Sequence, residues 1–181
     1  MTSIPRRLAH VVLTAVSAAT LAPVALLNPA AAAGIEWTRS SALLGSKIVY
    51  VEEHVGSRFD SALRSSVQFV DRYTGSDMRL GKCRKGYRCI RIVASNATHG
   101  HGAWTSWSRA RKTSEIRLSS SLSQKGWHTR RSIIDHELGH ANGAEHHSKC
   151  TSLMWPHYTC RNGRIPPRTF TKAEREKLAR W

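Results

Sequence analysis

The segment from His136 to His146 constrains this chain more than any other part of its sequence. It reads HELGHANGAEH, with two histidines four residues apart and a third histidine six residues after the second. Residues four apart lie one above the other on a single helical face, so both imidazoles can close on one ion. Gly143 accepts a positive φ, which allows the chain to reverse and bring His146 back to the same ion. The spacing therefore predicts a helix, a sharp turn and three convergent histidines.

Glu137 and the number of ligands indicate what such an ion would do. Three protein nitrogens leave one coordination position open, which is typical of a catalytic zinc site rather than a structural one. Glu137 is offset by one residue from a ligand, so its carboxylate can reach a water molecule on the ion. His147 is an alternative third ligand, but the spacing from Gly143 favours His146. The sequence predicts one catalytic Zn2+ with three histidine ligands: His136, His140 and His146.

The segment resembles the metzincin signature of zinc metalloproteases, HExxHxxGxxH followed by a turn that contains methionine, the Met-turn. Downstream, residues 154–158 (MWPHY) are similar to the matrixin form of that turn, in which methionine precedes an aromatic residue, proline, any residue and tyrosine. The eight-residue step from His146 to Met154 also agrees with matrixins. The resemblance implies that Met154 forms the hydrophobic base under the zinc ligands. It also implies that Pro156 and Tyr158 form the outer wall of a specificity pocket.

The same resemblance, which extends over residues 133–158, implies a fold and a reaction. Metzincin-like domains combine a small twisted mixed sheet with two long helices, one of them the active-site helix, then the Met-turn and a C-terminal helix. The chain is similar to secreted bacterial zinc-dependent endopeptidases, in which Glu137 would be the general base for a zinc-activated water. An extended peptide substrate is then expected to pair with an edge strand within Ala103–Trp107.

The chain differs in three sequence features from the protease families that it resembles. Snapalysins, small secreted bacterial proteases, have aspartate as the third ligand where this chain has His146. No matrixin cysteine-switch segment precedes Trp37. Residues 93–113 contain His99 and His101 but no Asp or Glu, so the residues there support neither the accessory calcium ion nor the structural zinc ion that matrixins bind, although a calcium ion is possible. We interpret these two histidines as part of a polar loop.

The first 33 residues are typical of a secretion signal. They contain no acidic residue, and the basic pair at 6–7 precedes an apolar run over 8–22. The alanines at 30–33 supply the small residues that a signal peptidase needs. We expect a signal peptide at 1–33 and a single secreted catalytic domain at 34–181, with no transmembrane segment.

Four cysteines lie in the part that would be exported: Cys83, Cys89, Cys150 and Cys160. An even number of cysteines in an oxidising compartment indicates disulfide bonds. Of the three pairings, Cys83–Cys89 with Cys150–Cys160 is favoured because each pair brackets a turn-like stretch, the first of which resembles a hairpin tip. A zinc site built from cysteines would lack the usual C-x-x-C spacing.

Hydrophobic patterns outside the motif predict an α+β domain. The predicted order is strand, helix, strands, helix, irregular stretch, helix, with strands at 47–51, 88–94 and 115–118 and helices at 59–73, 129–142 and 171–181. Thr171 and Glu174 match a helix capping box. Residues 95–111 are predicted as a loop with an edge strand.

The formal net charge of +16 indicates an alternative hypothesis for the function. A strongly basic protein attracts an anionic surface or polymer. The chain would then be a secreted cationic protein that binds nucleic acid or a cell surface and keeps zinc only for structure. Basic runs such as residues 109–112 are usually solvated, and no aromatic-basic nucleic-acid module is present. A monomeric enzyme that acts on peptide or protein substrates is therefore the leading hypothesis.

Overall fold

The computed structural model describes residues 48–96, 102–108, 113–157, 160 and 169–179. The predicted signal peptide lies outside the described residues, and so do His99, His101 and Tyr158. Within the described ranges, no helix combines the length and the apolarity needed to cross a membrane.

The described part of the chain forms one mixed sheet covered by helices. The strands are β1 (Ile48–His54), β2 (Asp77–Leu80), β3 (Arg88–Ser95), β4 (Ala103–Ser108) and β5 (Thr113–Ser119). The helices are α1 (Asp60–Asp71), α2 (Trp127–Ala141) and α3 (Lys172–Ala179), with a short 3-10 helix at Ser120–Gln124. The spatial order of the strands is β2-β1-β3-β5-β4. Strand β4 runs antiparallel to β5 at the outer edge, and all other neighbours are parallel.

Both long helices lie on the face of the sheet where alternate strand residues are apolar. Val51 of β1 and Ile92 of β3 are fully buried in the same cluster as Leu63 of α1 and Leu138 of α2. Because successive side chains of a strand point to opposite faces, Arg91 lies on the other face, where it is exposed. This alternation fixes which face of the sheet meets the helices.

The predicted α+β class is confirmed at the level of a mixed sheet with helices. The predicted strands overlap β1, β3 and β5, and the predicted helices overlap α1, α2 and α3. Strand β4 lies where the edge strand was expected. The sequence does not predict β2, because only one of its four side chains, Met78, is buried and the strand has no strong apolar pattern.

The prediction that residues 81–89 form the tip of a hairpin is wrong. Strands β2 and β3 lie on opposite sides of β1, and each pairs with it in parallel. Residues 81–87 therefore cross over β1 instead of reversing between two paired strands. Tyr87 of this crossover contacts Tyr50 of β1 with ring centroids 5.5 Å apart in a T-shaped arrangement.

Each of the four cysteines lies beside the partner that the local pairing predicts. The Cα atoms of Cys83 and Cys89 are 5.5 Å apart, and those of Cys150 and Cys160 are 5.6 Å apart. Both separations are normal for a disulfide bond. The prediction of two local disulfides agrees with this geometry.

Replacing Ile92 with Ala should destabilise the protein by about 3 kcal/mol, because the truncation leaves a cavity in a fully buried part of the sheet. Arg91→Ala is the matched control on the neighbouring residue. Its guanidinium contributes only a partly exposed ion pair with Glu52 at 3.4 Å, so the expected loss is below about 1 kcal/mol. Denaturant unfolding followed by circular dichroism measures both values. Equal losses would contradict the strand orientation.

Candidate metal centre

The C-terminal half of α2 is buried although it carries the ionisable side chains of the predicted site. His136, Glu137 and His140 are 9%, 2% and 7% exposed. Burying such groups costs free energy unless their polar atoms find partners. The partners of these three residues therefore define what the site can do.

A Schellman turn ends α2 and returns the chain towards the helix. Gly143 has a φ of 84°, and its N–H donates to the carbonyl of His140 at 2.8 Å. The N–H of Ala144 donates to the carbonyl of Gly139 at 2.9 Å, which completes the motif. Buried Arg88 of β3 donates to the carbonyl of Ala141 and holds this end of α2 against the sheet. The reversal predicted at Gly143 is confirmed.

This turn brings His146 to the two histidines of the helix. Nε2 of His140 lies 3.1 Å from Nε2 of His136 and 3.1 Å from Nε2 of His146. On the other side of the rings, Nδ1 of His136 lies 2.8 Å from the carbonyl oxygen of Leu153, and Nδ1 of His140 lies 2.8 Å from that of Ala144. A carbonyl oxygen only accepts, so Nδ1 carries the proton in both neutral rings and Nε2 presents a lone pair.

The arrangement fits a bound metal ion. Unprotonated nitrogens 3.1 Å apart repel each other unless a cation lies between them. A tetrahedral ion with metal–nitrogen bonds of about 2.0–2.1 Å separates its ligands by about 3.3 Å. Burial lowers the pKa of His136 to about 4 and holds the pKa of His140 well below its ordinary value, so both rings are neutral at neutral pH. His136, His140 and His146 can therefore hold a metal ion.

His147, the alternative third ligand, lies outside this group. The ring Nδ1 of His147 accepts the main-chain N–H of Lys149 at 2.9 Å. The main-chain N–H of His147 donates to the carbonyl of Met154 at 2.9 Å. Both histidines are half-buried, but only the Nε2 of His146 lies beside the Nε2 of His140. The structure thus brings His146, rather than its neighbour, to the other two histidines.

Glu137 lies next to His136 in the helix, and one of its two carboxylate oxygens accepts a hydrogen bond from the protein. The hydroxyl of Thr105 in β4 donates to Oε2 of Glu137 at 2.5 Å. Oε1 has no hydrogen-bond partner among the described residues. Burial raises the pKa of Glu137 to about 7, and the hydrogen bond from Thr105 acts in the opposite direction. The sequence does not indicate Thr105 as a site residue, because no local pattern shows that its side chain contacts a residue 32 positions away.

Met154 packs against α2 at Gly139, a helix residue that has no side chain. It is fully buried. A Cβ atom on Gly139 would lie 2.6 Å from Sδ of Met154 and 3.2 Å from Cε1 of Phe170. Glycine at this position therefore allows both side chains to approach the helix backbone between His136 and His140. The role of Met154 as the base under the ligands stays a prediction.

The loop before Met154 is anchored by the C-terminal helix. The hydroxyl of Ser152 accepts the N–H of Met154 at 2.9 Å and donates to the carboxylate of Glu174. The other oxygen of Glu174 accepts the N–H of Thr171 at 2.6 Å, and the hydroxyl of Thr171 accepts the N–H of Glu174 at 3.3 Å. The capping box predicted at Thr171 and Glu174 is confirmed, and the same glutamate also binds Ser152 in the loop before Met154.

The expected wall of the specificity pocket is described only in part. Pro156 follows Met154 by two residues and is half-buried. Its neighbours Trp155 and His157 have ring centroids 5.3 Å apart. Tyr158 lies outside the described residues, so its predicted role in the wall stays a prediction.

No protein-family model matches the chain, and no curated protein sequence is significantly similar to it. The residues themselves indicate a functional site: three convergent histidines, a carboxylate next to them in the chain, and a methionine beneath the helix.

Replacing His146 with Ala should abolish tight metal binding, because it removes one of the three converging nitrogens. His147→Ala is the matched control and should leave the ion in place, since His147 uses its Nδ1 to bind a main-chain N–H. Zinc content after dialysis, measured by mass spectrometry, should be about one ion per chain in the unchanged protein and in the control. The reverse pattern would show that the wrong histidine has been placed in the group.

Gly139→Ala should destabilise the protein by about 2 kcal/mol, because the added methyl group overlaps Met154. Combining it with Met154→Ala should cost less than the sum of the two single changes, since the shorter side chain leaves room for the methyl group. Unfolding free energies of the four proteins form a double-mutant cycle that measures this coupling. Strictly additive losses would contradict the contact.

Proposed function

We propose that this chain is a secreted zinc-dependent endopeptidase of the metzincin, matrixin-like type. The observation that carries the proposal is the convergence of three imidazole Nε2 atoms next to a buried carboxylate. Three protein ligands leave a coordination position for water and substrate, as in catalytic rather than structural zinc sites. When bound, zinc would polarise a peptide carbonyl and lower the pKa of a water molecule.

Glu137 is the general base of the proposed reaction. Its Oε2 accepts the hydroxyl proton of Thr105, which leaves Oε1 to take a proton from the attacking water. The same oxygen then delivers the proton to the nitrogen of the leaving amine as the peptide C–N bond breaks. His136 and His140 keep their ligand nitrogens unprotonated throughout, because carbonyl oxygens hold the proton at Nδ1 of each ring.

The peptide substrate is expected to pair with β4. This strand ends the sheet, and the described residues place no strand on its outer side. Its outward main-chain groups can therefore bind an extended peptide by strand addition. Thr105 lies in the middle of β4 and contacts Glu137, so a peptide on this edge would pass beside the general base. This placement supports an endopeptidase that binds extended chains.

The segment after His146 is proposed to shape the substrate pocket. Met154 would form the apolar base under the histidines, and Pro156 with Tyr158 would form the outer wall. Cys150 and Cys160 enclose these residues in one disulfide loop, which limits the unfolding of the segment.

Secretion is part of the proposal because the signal-like segment and the two disulfide pairs agree with it. Residues 1–33 hold only two of the 28 basic residues and no acidic residue, so the secreted enzyme would stay strongly basic and close to an anionic surface or polymer. The alternative, a cationic binding protein with a structural zinc site, requires a fourth protein ligand. The histidine group in the described residues offers three.

Glu137→Gln should keep zinc bound but lower peptide hydrolysis at least about 100-fold, because the amide cannot accept the proton of the water. The test digests a mixture of peptides with purified protein, with and without a zinc chelator, and maps the cleavage sites by mass spectrometry. Glu145→Gln is the matched control, since Glu145 is exposed and pairs with Lys177 at 3.2 Å. It should retain activity.

Two results of this experiment would overturn the proposed function. One is cleavage that persists in the chelator, and the other is unchanged activity of the Glu137 variant. Inert behaviour towards every peptide, together with steeply salt-dependent DNA binding, would instead favour the cationic binding protein.

A further inference from the structure

We infer that Thr105 is a positioning residue that orients the carboxylate of Glu137 for hydrolysis. The inference rests on the proposed peptidase function and adds a residue that the motif does not contain. Thr105 and Glu137 are both buried, at 6% and 2% exposure, so water does not compete freely for their hydrogen bond. Oγ1 of Thr105 lies 2.5 Å from Oε2 of Glu137, within hydrogen-bond distance.

The single hydroxyl proton of Thr105 has two acceptors within reach. The main-chain oxygen of Glu137 is 3.3 Å from Oγ1, whereas Oε2 is 2.5 Å away. The contact with Oε2 is the shorter of the two, so the proton lies on the carboxylate side. Thr105 therefore fixes the end of the Glu137 side chain, not its backbone.

A glutamate at this position needs such a contact. Helix α2 fixes the Cα–Cβ direction of Glu137, but three side-chain torsions still decide where the two oxygens point. Once Oε2 is tied to Thr105, the remaining torsional freedom is small and Oε1 keeps one direction. Proton transfer depends steeply on such alignment, so a loose carboxylate would slow the reaction without weakening substrate binding.

Thr105 is itself held rigidly. It pairs with Ile116 of β5, which is fully buried, and its side chain lies on the helix-facing side of the sheet. Its β-branched side chain has few rotamers, so the hydroxyl cannot swing far from Oε2. Because β4 is also the proposed docking edge, one strand would align both the substrate and the base.

Kinetics with unfolded, fluorescein-labelled casein separate a positioning role from a purely structural one. Thr105→Val keeps the shape of the side chain but removes the hydroxyl, so kcat should fall about 10- to 100-fold while KM stays nearly unchanged. Thr105→Ser restores the hydroxyl and should recover most of kcat. Thr74→Val is the matched control, because its hydroxyl donates to the carbonyl of Asp71 at the end of α1. All variants should retain zinc.

A second measurement does not depend on activity. A double-mutant cycle of Thr105→Val with Glu137→Ala should show coupling of about tenfold in the unfolding equilibrium constant of the zinc-loaded protein. Unchanged kcat in Thr105→Val, failure of serine to restore it, or additive effects in the cycle would each overturn the inference. If the unchanged protein shows no chelator-sensitive cleavage, the proposed function fails and this inference fails with it.

Discussion

The hydrogen bonds from two histidine Nδ1 atoms to main-chain carbonyls are the interactions on which the site depends. They fix the tautomers of His136 and His140, so that both Nε2 lone pairs point to the same place. In the other tautomer, a proton would occupy each of these nitrogens and no ion could bind. The positions of the carbonyls of Ala144 and Leu153 therefore decide whether the motif forms a metal centre at all.

Each carbonyl is fixed by a different part of the fold. Ala144 is held by the Schellman turn at the end of α2, which is local to the motif. Leu153 is held by its N–H, which donates to the carbonyl of Thr169 at 3.0 Å, and by the contact of the following residue with Ser152. Ser152 is bonded in turn to Glu174 in α3. The C-terminal helix thus contributes to the orientation of His136 although it provides no ligand.

This division explains what the sequence predicts well and what it does not. The pairing of His136 with His140, the reversal at Gly143 and the cap of α3 all depend on residues a few positions apart, so spacing alone predicts them. The contact of Thr105 with Glu137 and the crossover before Cys89 depend on which strands become neighbours. Local patterns carry little information on strand order, and a polar edge strand has no apolar periodicity to reveal which side chain faces inward.

The buried polar side chains of α2 differ in whether other protein groups satisfy them. This difference distinguishes the candidate metal centre from the rest of the helix. Asp135 is fully buried but pairs with Arg131 at 3.5 Å, and the guanidinium of Arg131 lies 5.3 Å from the ring centre of Phe69. That charge is compensated within the fold. His136, His140 and Glu137 are each bonded through one side-chain atom. The three Nε2 atoms of the histidine group and Oε1 of Glu137 keep capacity for a ligand. An apolar helix would stabilise the domain more. A metal ion bound by these atoms would stabilise the folded state, because the unfolded chain does not hold the three nitrogens together.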